Sequence, residues 1–375
     1  MDRRTFLRLA AGSAVLLFQA ACQSFSMPAP GPSATGTAAP AAPSPAGATT
    51  GPVQSGAPTI DPNLAHPRLD LPLSMQTTPI EHFYVTTYSD TIPGFDPAMW
   101  SFSLDGLVER PLKFTFDELR ARPAVELMRT LECIGNPIGG GLISNGAWKG
   151  ISLKSLLQEA GVKPGAQYLI MDGADEYYTS APLELGLTDA AMLAYELNGK
   201  PLTPEHGRPI RVLLPGLYGQ KQPKWVTHIQ VADHSEKGYW EKKGWSDTCI
   251  IQPNSRIDRP LDDNVLTGKP GDIFTITGIA FTSSPGVARV EVSTDGGKSW
   301  QDATLTRAPD PDTGYVWTQW GYDWPLPASG QYTLMSRVTD KAGNTQGDPS
   351  RHIFFLAFPN GSNAVETVVV RVQTG

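Results

Sequence analysis

Residues 23–60 fix the plan of this chain before any other feature does. The stretch of 38 residues contains no Asp, Glu, Lys or Arg, and 32 of the 38 are Ala, Pro, Gly, Ser or Thr. Such a segment buries too little apolar area to offset its conformational entropy, so residues 23–70 read as a disordered tether. The remainder of the 375 residues exceeds what one core of ordinary size serves and predicts two domains. The net charge of -7 comes without a long basic run. Nucleic-acid affinity rests on phosphate neutralisation, so neither DNA nor RNA is expected as a partner. The three cysteines, Cys22, Cys133 and Cys249, are too few for a disulfide framework.

Ahead of the tether, Arg3-Arg4-Thr5-Phe6-Leu7-Arg8 precedes 13 uncharged residues, Leu9 to Ala21. That is short of the ~20 apolar residues of a membrane-spanning helix, and it has the layout of a signal peptide. The paired arginines resemble a twin-arginine export signal, which carries folded cargo. Gln19-Ala20-Ala21-Cys22 resembles a lipoprotein cleavage site, with Gln19 departing from the usual aliphatic residue. The expectation over residues 1–22 is an exported protein, periplasmic or at the cell surface, held to the membrane by lipid on Cys22.

Beyond the tether, residues 71–252 mix strands and short helices. Trp100–Gly106, Tyr168–Met171, Ile210–Leu214 and Trp225–Val231 read as strands. Phe116–Arg120 reads as a short helix, as does Leu153–Ala160, with its apolar face at i, i+3 and i+4 and a stop at Gly161. No regular βαβ alternation is evident, so the expected class is α+β. No GxGxxG or P-loop suggests a nucleotide. In residues 253–375, Ile273–Thr277, Ala288–Val292 and Tyr332–Val338 alternate as strands between glycine-marked turns, which reads as an all-β sandwich.

Cys133 stands in Leu131-Glu132-Cys133-Ile134-Gly135-Asn136-Pro137, followed by Gly139-Gly140-Gly141. By residue type alone it is either a small buried apolar side chain or a thiolate ligand or nucleophile at a loop that admits a bulky group. A zinc site is not expected, because no CxxC or HxxxH companion exists.

Leu-Glu-Cys-Ile-Gly-Asn, the segment Leu193-Ala-Tyr-Glu-Leu-Asn-Gly-Lys-Pro-Leu202, Glu205-His-Gly-Arg-Pro-Ile-Arg-Val-Leu-Leu-Pro-Gly216 and Gln222-Pro-Lys-Trp225 together resemble the sulfite oxidase family of molybdenum enzymes. Val290–Trp300 and Asp340–Asn344 are similar to that family's immunoglobulin-like dimerisation domain. The resemblance implies a molybdenum–molybdopterin cofactor whose metal takes the Cys133 thiolate, a soft ligand suited to it. It implies that His206, Arg211, Gln222 and Lys224 contact the pterin, the cations pairing with its phosphate. Tyr84, Thr87, Tyr88 and Asp175 align with further cofactor contacts, and Tyr195 with an active-site tyrosine. Two arginines that hold sulfite in the family are replaced, one by Thr86 and one by Ile138. The expected function is oxygen-atom-transfer redox chemistry on a small molecule, with electrons exchanged with an external carrier such as a cytochrome, and with a homodimer implied. S-oxide reduction, the reverse direction, suits an arginine-poor pocket, and a non-catalytic surface binding protein on the same fold is the alternative of another class.

Overall fold

In the computed structural model of the protein, residues 77–375 are described, except 90, 95, 284, 307–313, 349, 351–352 and 354–355. The signal-like residues 1–22, with Cys22, and the tether over 23–70 lie outside the described residues. Among the described residues no helix is long and apolar enough to cross a membrane.

Ten strands build the first region: β1 (Ser101–Gly106), β2 (Leu112–Thr115), β3 (Ala124–Glu132), β4 (Ile143–Ser152), β5 (Tyr168–Gly173), β6 (Tyr178–Pro182), β7 (Met192–Leu197), β8 (Lys200–Pro201), β9 (Arg211–Leu213) and β10 (Val226–Ala232). They form two sheets, β2-β1-β10-β5-β6 and β3-β4-β7-β8, with β9 added on β7. Among the described residues three α-helices accompany them: α1 (Phe116–Arg120), α2 (Leu153–Ala160) and α3 (Leu183–Gly186). This corrects the balance expected of an α+β domain, since the region is mostly β. α2 forms where its spacing predicts: Ser152 Oγ accepts from the Ser155 amide at its start, and Gly161 ends it at φ 70°. Its Leu153, Leu156, Leu157 and Ala160 pack against Phe102 and Leu104 of β1 and Leu169 and Met171 of β5, within one core.

The second region holds β11 (Asn254–Arg259), β12 (Val265–Gly268), β13 (Ile273–Phe281), β14 (Val287–Ser293), β15 (Gln301–Asp302), β16 (Thr304–Thr306), β17 (Thr318–Pro325), β18 (Gly330–Asp340) and β19 (Glu366–Thr374). The sheets β11-β13-β17-β16 and β12-β19-β18-β14-β15 close on a shared core that includes Ile276, Trp320, Val290, Leu334 and Val370. The turns rest on glycines at positive φ, Gly286, Gly296, Gly297 and Gly343. The two regions join through an apolar cluster of Ile134, Ile143, Tyr218, Cys249 and Ile251 with Ile279, Phe281 and Trp317. Cys249 is fully buried there, a small side chain packed in the junction.

Candidate functional site

The period of two along neighbouring strands decides which side chains reach the site. On β7, Met192 and Ala194 face a core shared with Trp148, Leu131 and Cys133, whereas Leu193 and Tyr195 face the α2 core. β9 pairs with β7, Ala194 opposite Arg211, so Arg211 and Leu213 share the first face and Val212 the other. On β3, Leu131 and the following Cys133 point to that same side.

A cavity of about 830 Å³ of empty space, part of it open to solvent, lies there, lined by Cys133, Thr86 and Gly135 and also by His206, Arg211 and Lys224. Tyr84, Thr87, Tyr88, Asp175 and Gln222 also line it. The structure therefore brings together every expected contact residue except Tyr195. That residue is corrected: it lies across the sheet, its ring edge-on to Phe116 at 6.5 Å and the Arg120 guanidinium 5.9 Å from its centroid. Ile138 lines a small separate cleft with Glu132, Asn254 and Arg256, so of the two positions lacking the expected arginine only Thr86 bounds the cavity.

The basic part of the lining is built from Arg211, Lys224 and His206, whose hydrogen-bond partners are backbone carbonyls and one hydroxyl. Arg211 Nη1 and Nη2 donate to the His206 and Gln222 carbonyls, both at 3.4 Å, and its buried Nε has no partner. The guanidinium lies 5.4 Å from the Trp148 ring centroid. Lys224 Nζ donates to the Glu205 carbonyl at 2.9 Å. His206 pairs with Thr203 Oγ1 at 2.7 Å and with the Phe83 carbonyl at 3.3 Å. Burial, with the neighbouring Arg211, lowers His206 to about 4 and Lys224 to about 7; burial lowers Arg211 to about 10. Gly207, at φ 103°, keeps these three close, because a Cβ there would stand 3.0 Å from Lys224 Cβ and 3.2 Å from Arg211 Cβ. Three such groups without a carboxylate partner suit an anion such as a phosphate.

The lining residues next to Cys133, among them Thr86, Ile134 and Gly135, are uncharged. The Cys133 thiol is hydrogen-bonded to Thr86 and to the Gly135 backbone, and burial raises its pKa. That environment disfavours a free thiolate and leaves the sulfur to be deprotonated by a metal. Among the described residues no cluster of three His, Cys, Asp or Glu could hold a metal by itself, so a metal here needs ligands from a cofactor. A basic, anion-binding part of the lining together with a soft sulfur donor fits a phosphate-bearing cofactor that carries its own metal ligands.

Gln222 lines the cavity but is spent on the frame: its Oε1 accepts from the Leu214 amide at 3.1 Å and its Nε2 donates to the Leu217 carbonyl at 2.7 Å. Tyr88 Oη donates to the Asp175 carbonyl, and Asp175 Oδ1 accepts from the Tyr177 amide at 3.2 Å. Sequence reasoning missed Tyr177, Gln220, Trp240 and Trp245, which also line the cavity. The aromatic residues crowded among lysines in 237–245 were the available signal.

Residues 89–240 match the oxidoreductase molybdopterin binding domain, and residues 226–357 match the Mo-co oxidoreductase dimerisation domain. Sulfite oxidase of Gallus gallus is 30% identical over 335 residues, which span 78% of this chain and 72% of that protein. Nitrate reductase [NAD(P)H] of Hordeum vulgare is 32% identical over 340 residues, 74% of this chain and 37% of that protein. The chain thus spans little more than a third of the nitrate reductase. The crystal structure of the sulfane dehydrogenase SoxCD from Paracoccus pantotrophus superposes with a TM-score of 0.67 at 27% identity, covering 80% of this chain and 84% of that one. The chain belongs to the sulfite oxidase family, molybdenum-dependent oxidoreductases built around the molybdopterin cofactor.

Proposed function

We propose that this chain is an exported oxidoreductase of the sulfite oxidase type, with Cys133 as the protein ligand to molybdenum and His206, Arg211 and Lys224 around the pterin phosphate. The observation that carries the reading is the cavity itself, lined both by three basic residues that form no ion pair and by a buried thiol. When bound, the cofactor supplies two-electron redox chemistry by oxygen-atom transfer. The chain orients it: Arg211 and Lys224 attract the anionic end, Gln222 holds the loop behind Arg211, and Tyr84, Thr87, Tyr88 and Asp175 wall the space between. Trp240 and Trp245 bound the cavity with apolar surface and restrict water. A non-catalytic adhesive protein has no use for this arrangement of buried cations.

The surroundings of Cys133 favour a neutral substrate. Thr86 stands where an anion-holding arginine is expected, and a doubly charged anion is costly to desolvate without such partners. The reading is S-oxide reduction, an S-oxide plus two protons and two electrons giving the thioether and water, with electrons from an external one-electron carrier such as a cytochrome. The similarity of residues 226–357 to a dimerisation domain supports a homodimer through an immunoglobulin-like sandwich. Periplasmic or surface location through lipid on Cys22 rests on the amino-terminal sequence. Steady-state assays of the loaded enzyme decide the substrate: turnover of a neutral sulfoxide with a reduced carrier is expected to exceed sulfite oxidation, and fast sulfite turnover with an inert sulfoxide would overturn the assignment.

A further inference from the structure

Cys133 and Leu131 occupy one face of this part of the chain; Thr130 and Glu132 occupy the other, toward the second region. Glu132 is 3% exposed and is held by carboxamides: Asn136 Nδ2 donates to Oε1 at 2.9 Å, and Asn254 Nδ2 donates to Oε2 at 3.0 Å. Asn136 also closes the loop that follows Cys133. Its amide donates to the Cys133 carbonyl at 2.9 Å, its Oδ1 accepts from the Leu142 amide at 2.9 Å, and the Cys133 amide donates to the Leu142 carbonyl at 2.9 Å. Ser362 Oγ donates to the Asn136 carbonyl at 3.0 Å. Arg256, paired through Nε with Asp258 at 2.6 Å, donates Nη1 to the Gly140 carbonyl at 2.6 Å.

Two side chains of the second region, Arg256 and Ser362, therefore reach the loop 133–142 directly, and a third, Asn254, reaches it through Glu132, which in turn accepts from Asn136. The apolar junction around Tyr218 and Phe281 already joins the regions, and burying a carboxylate among amides is a costly way to add adhesion. Its effect is geometric, because ligand position is set by the shell behind the ligand. We infer that the second region positions Cys133, with Asn254 and Arg256 as positioning residues. The inference rests on the proposed ligand role of Cys133 only where metal is concerned.

Asn254→Ala and Arg256→Lys, made in the full chain, test it. In cofactor-free protein, native-state alkylation of Cys133 by iodoacetamide, resolved from Cys22 and Cys249 by peptide mass spectrometry, is expected to rise about tenfold in either variant as the loop opens. Cys249, in the apolar junction, keeps its rate. In loaded protein the paramagnetic resonance spectrum of the one-electron-reduced metal shifts. Unchanged Cys133 labelling in folded variants, or an equal rise at Cys249, overturns the inference. If Asn254→Ala does not fold, Ser362→Ala, which deletes one hydroxyl, is read by the same labelling. Faster Cys133 labelling in a chain that never retains molybdenum upholds the positioning role and removes the ligand role, so the two fail separately.

Discussion

The two regions bury charge in opposite ways. In the sandwich, the buried Glu291 carboxylate meets Arg337 Nε at 2.9 Å and also pairs with Arg289, Arg256 pairs with Asp258, and Asp340 accepts from the Ala342 and Asn344 amides at 2.9 and 2.8 Å. Charge there is satisfied within the fold. In the cavity region, among the described residues, Lys221 and Glu241 form a buried pair of this kind, but Arg211, Lys224 and His206 lean on carbonyls and a hydroxyl. At the cavity, Arg211, Lys224 and His206 stand together without an ion pair, with only the more distant Asp175 and Glu205 offsetting Lys224, an arrangement that suits an anion.

Truncating a charge in each region should then have opposite effects on the cofactor-free chain. Glu291→Met leaves Arg337 without its carboxylate and Arg289 with Asp302 alone, and is expected to cost roughly 2 kcal/mol, less than for a fully buried pair because both arginines are partly exposed. Arg211→Met removes a desolvated cation and is expected to leave cofactor-free stability at or above that of the parent, while molybdopterin retention falls more than about tenfold. Denaturant titration and pterin content check both. A loss of about 2 kcal/mol in Arg211→Met would erase the contrast.

A smaller effect appears with pH. Lys224 titrates near 7 in the fold and near ~10.4 unfolded. Between those values the unfolded chain holds a proton that the folded chain lacks, so the Lys224 contribution makes stability rise with pH through this window. His228, held by Asp172 and Asp105 and raised to about 9, acts in the opposite sense: its contribution is complete below ~6.5 and is lost as pH rises through 9. The difference between parent and Lys224→Met isolates the lysine. Cofactor-free parent is expected to gain about 1 kcal/mol more than the variant from pH 7 to 10, and cofactor loading should flatten the difference.

Tyr195 gives the smallest effect. Across the sheet from the cavity, Tyr195→Phe is expected to leave kcat and KM unchanged, and a large loss of kcat would return it to the site. The error it corrects is instructive. The resemblance supplied the right segment, but a strand sends neighbouring residues to opposite faces, and only the pairing of β7 with β9 shows that Ala194 and Arg211 share the cavity side. Where local periodicity suffices, the sequence was readable: α2 starts at Leu153 and ends at Ala160 as its spacing predicts. Its buried face and its stop are written in adjacent residues. The long strands β3, β4 and β19 were not named in advance, and Trp240 and Trp245 reach the cavity from a loop with no period. The proposed ligand role of Cys133 comes from the resemblance alone, since its neighbours Thr86 and Gly135 include one 47 residues away in sequence.

Molybdenum per chain, determined by elemental mass spectrometry on protein from a cofactor-competent host, tests the central claim most directly. The account predicts about one metal per chain in the parent and less than about a tenth of that in Cys133→Ser, because the hydroxyl is a far poorer ligand than the soft thiolate. Full retention in Cys133→Ser, or a parent without molybdenum, would contradict it.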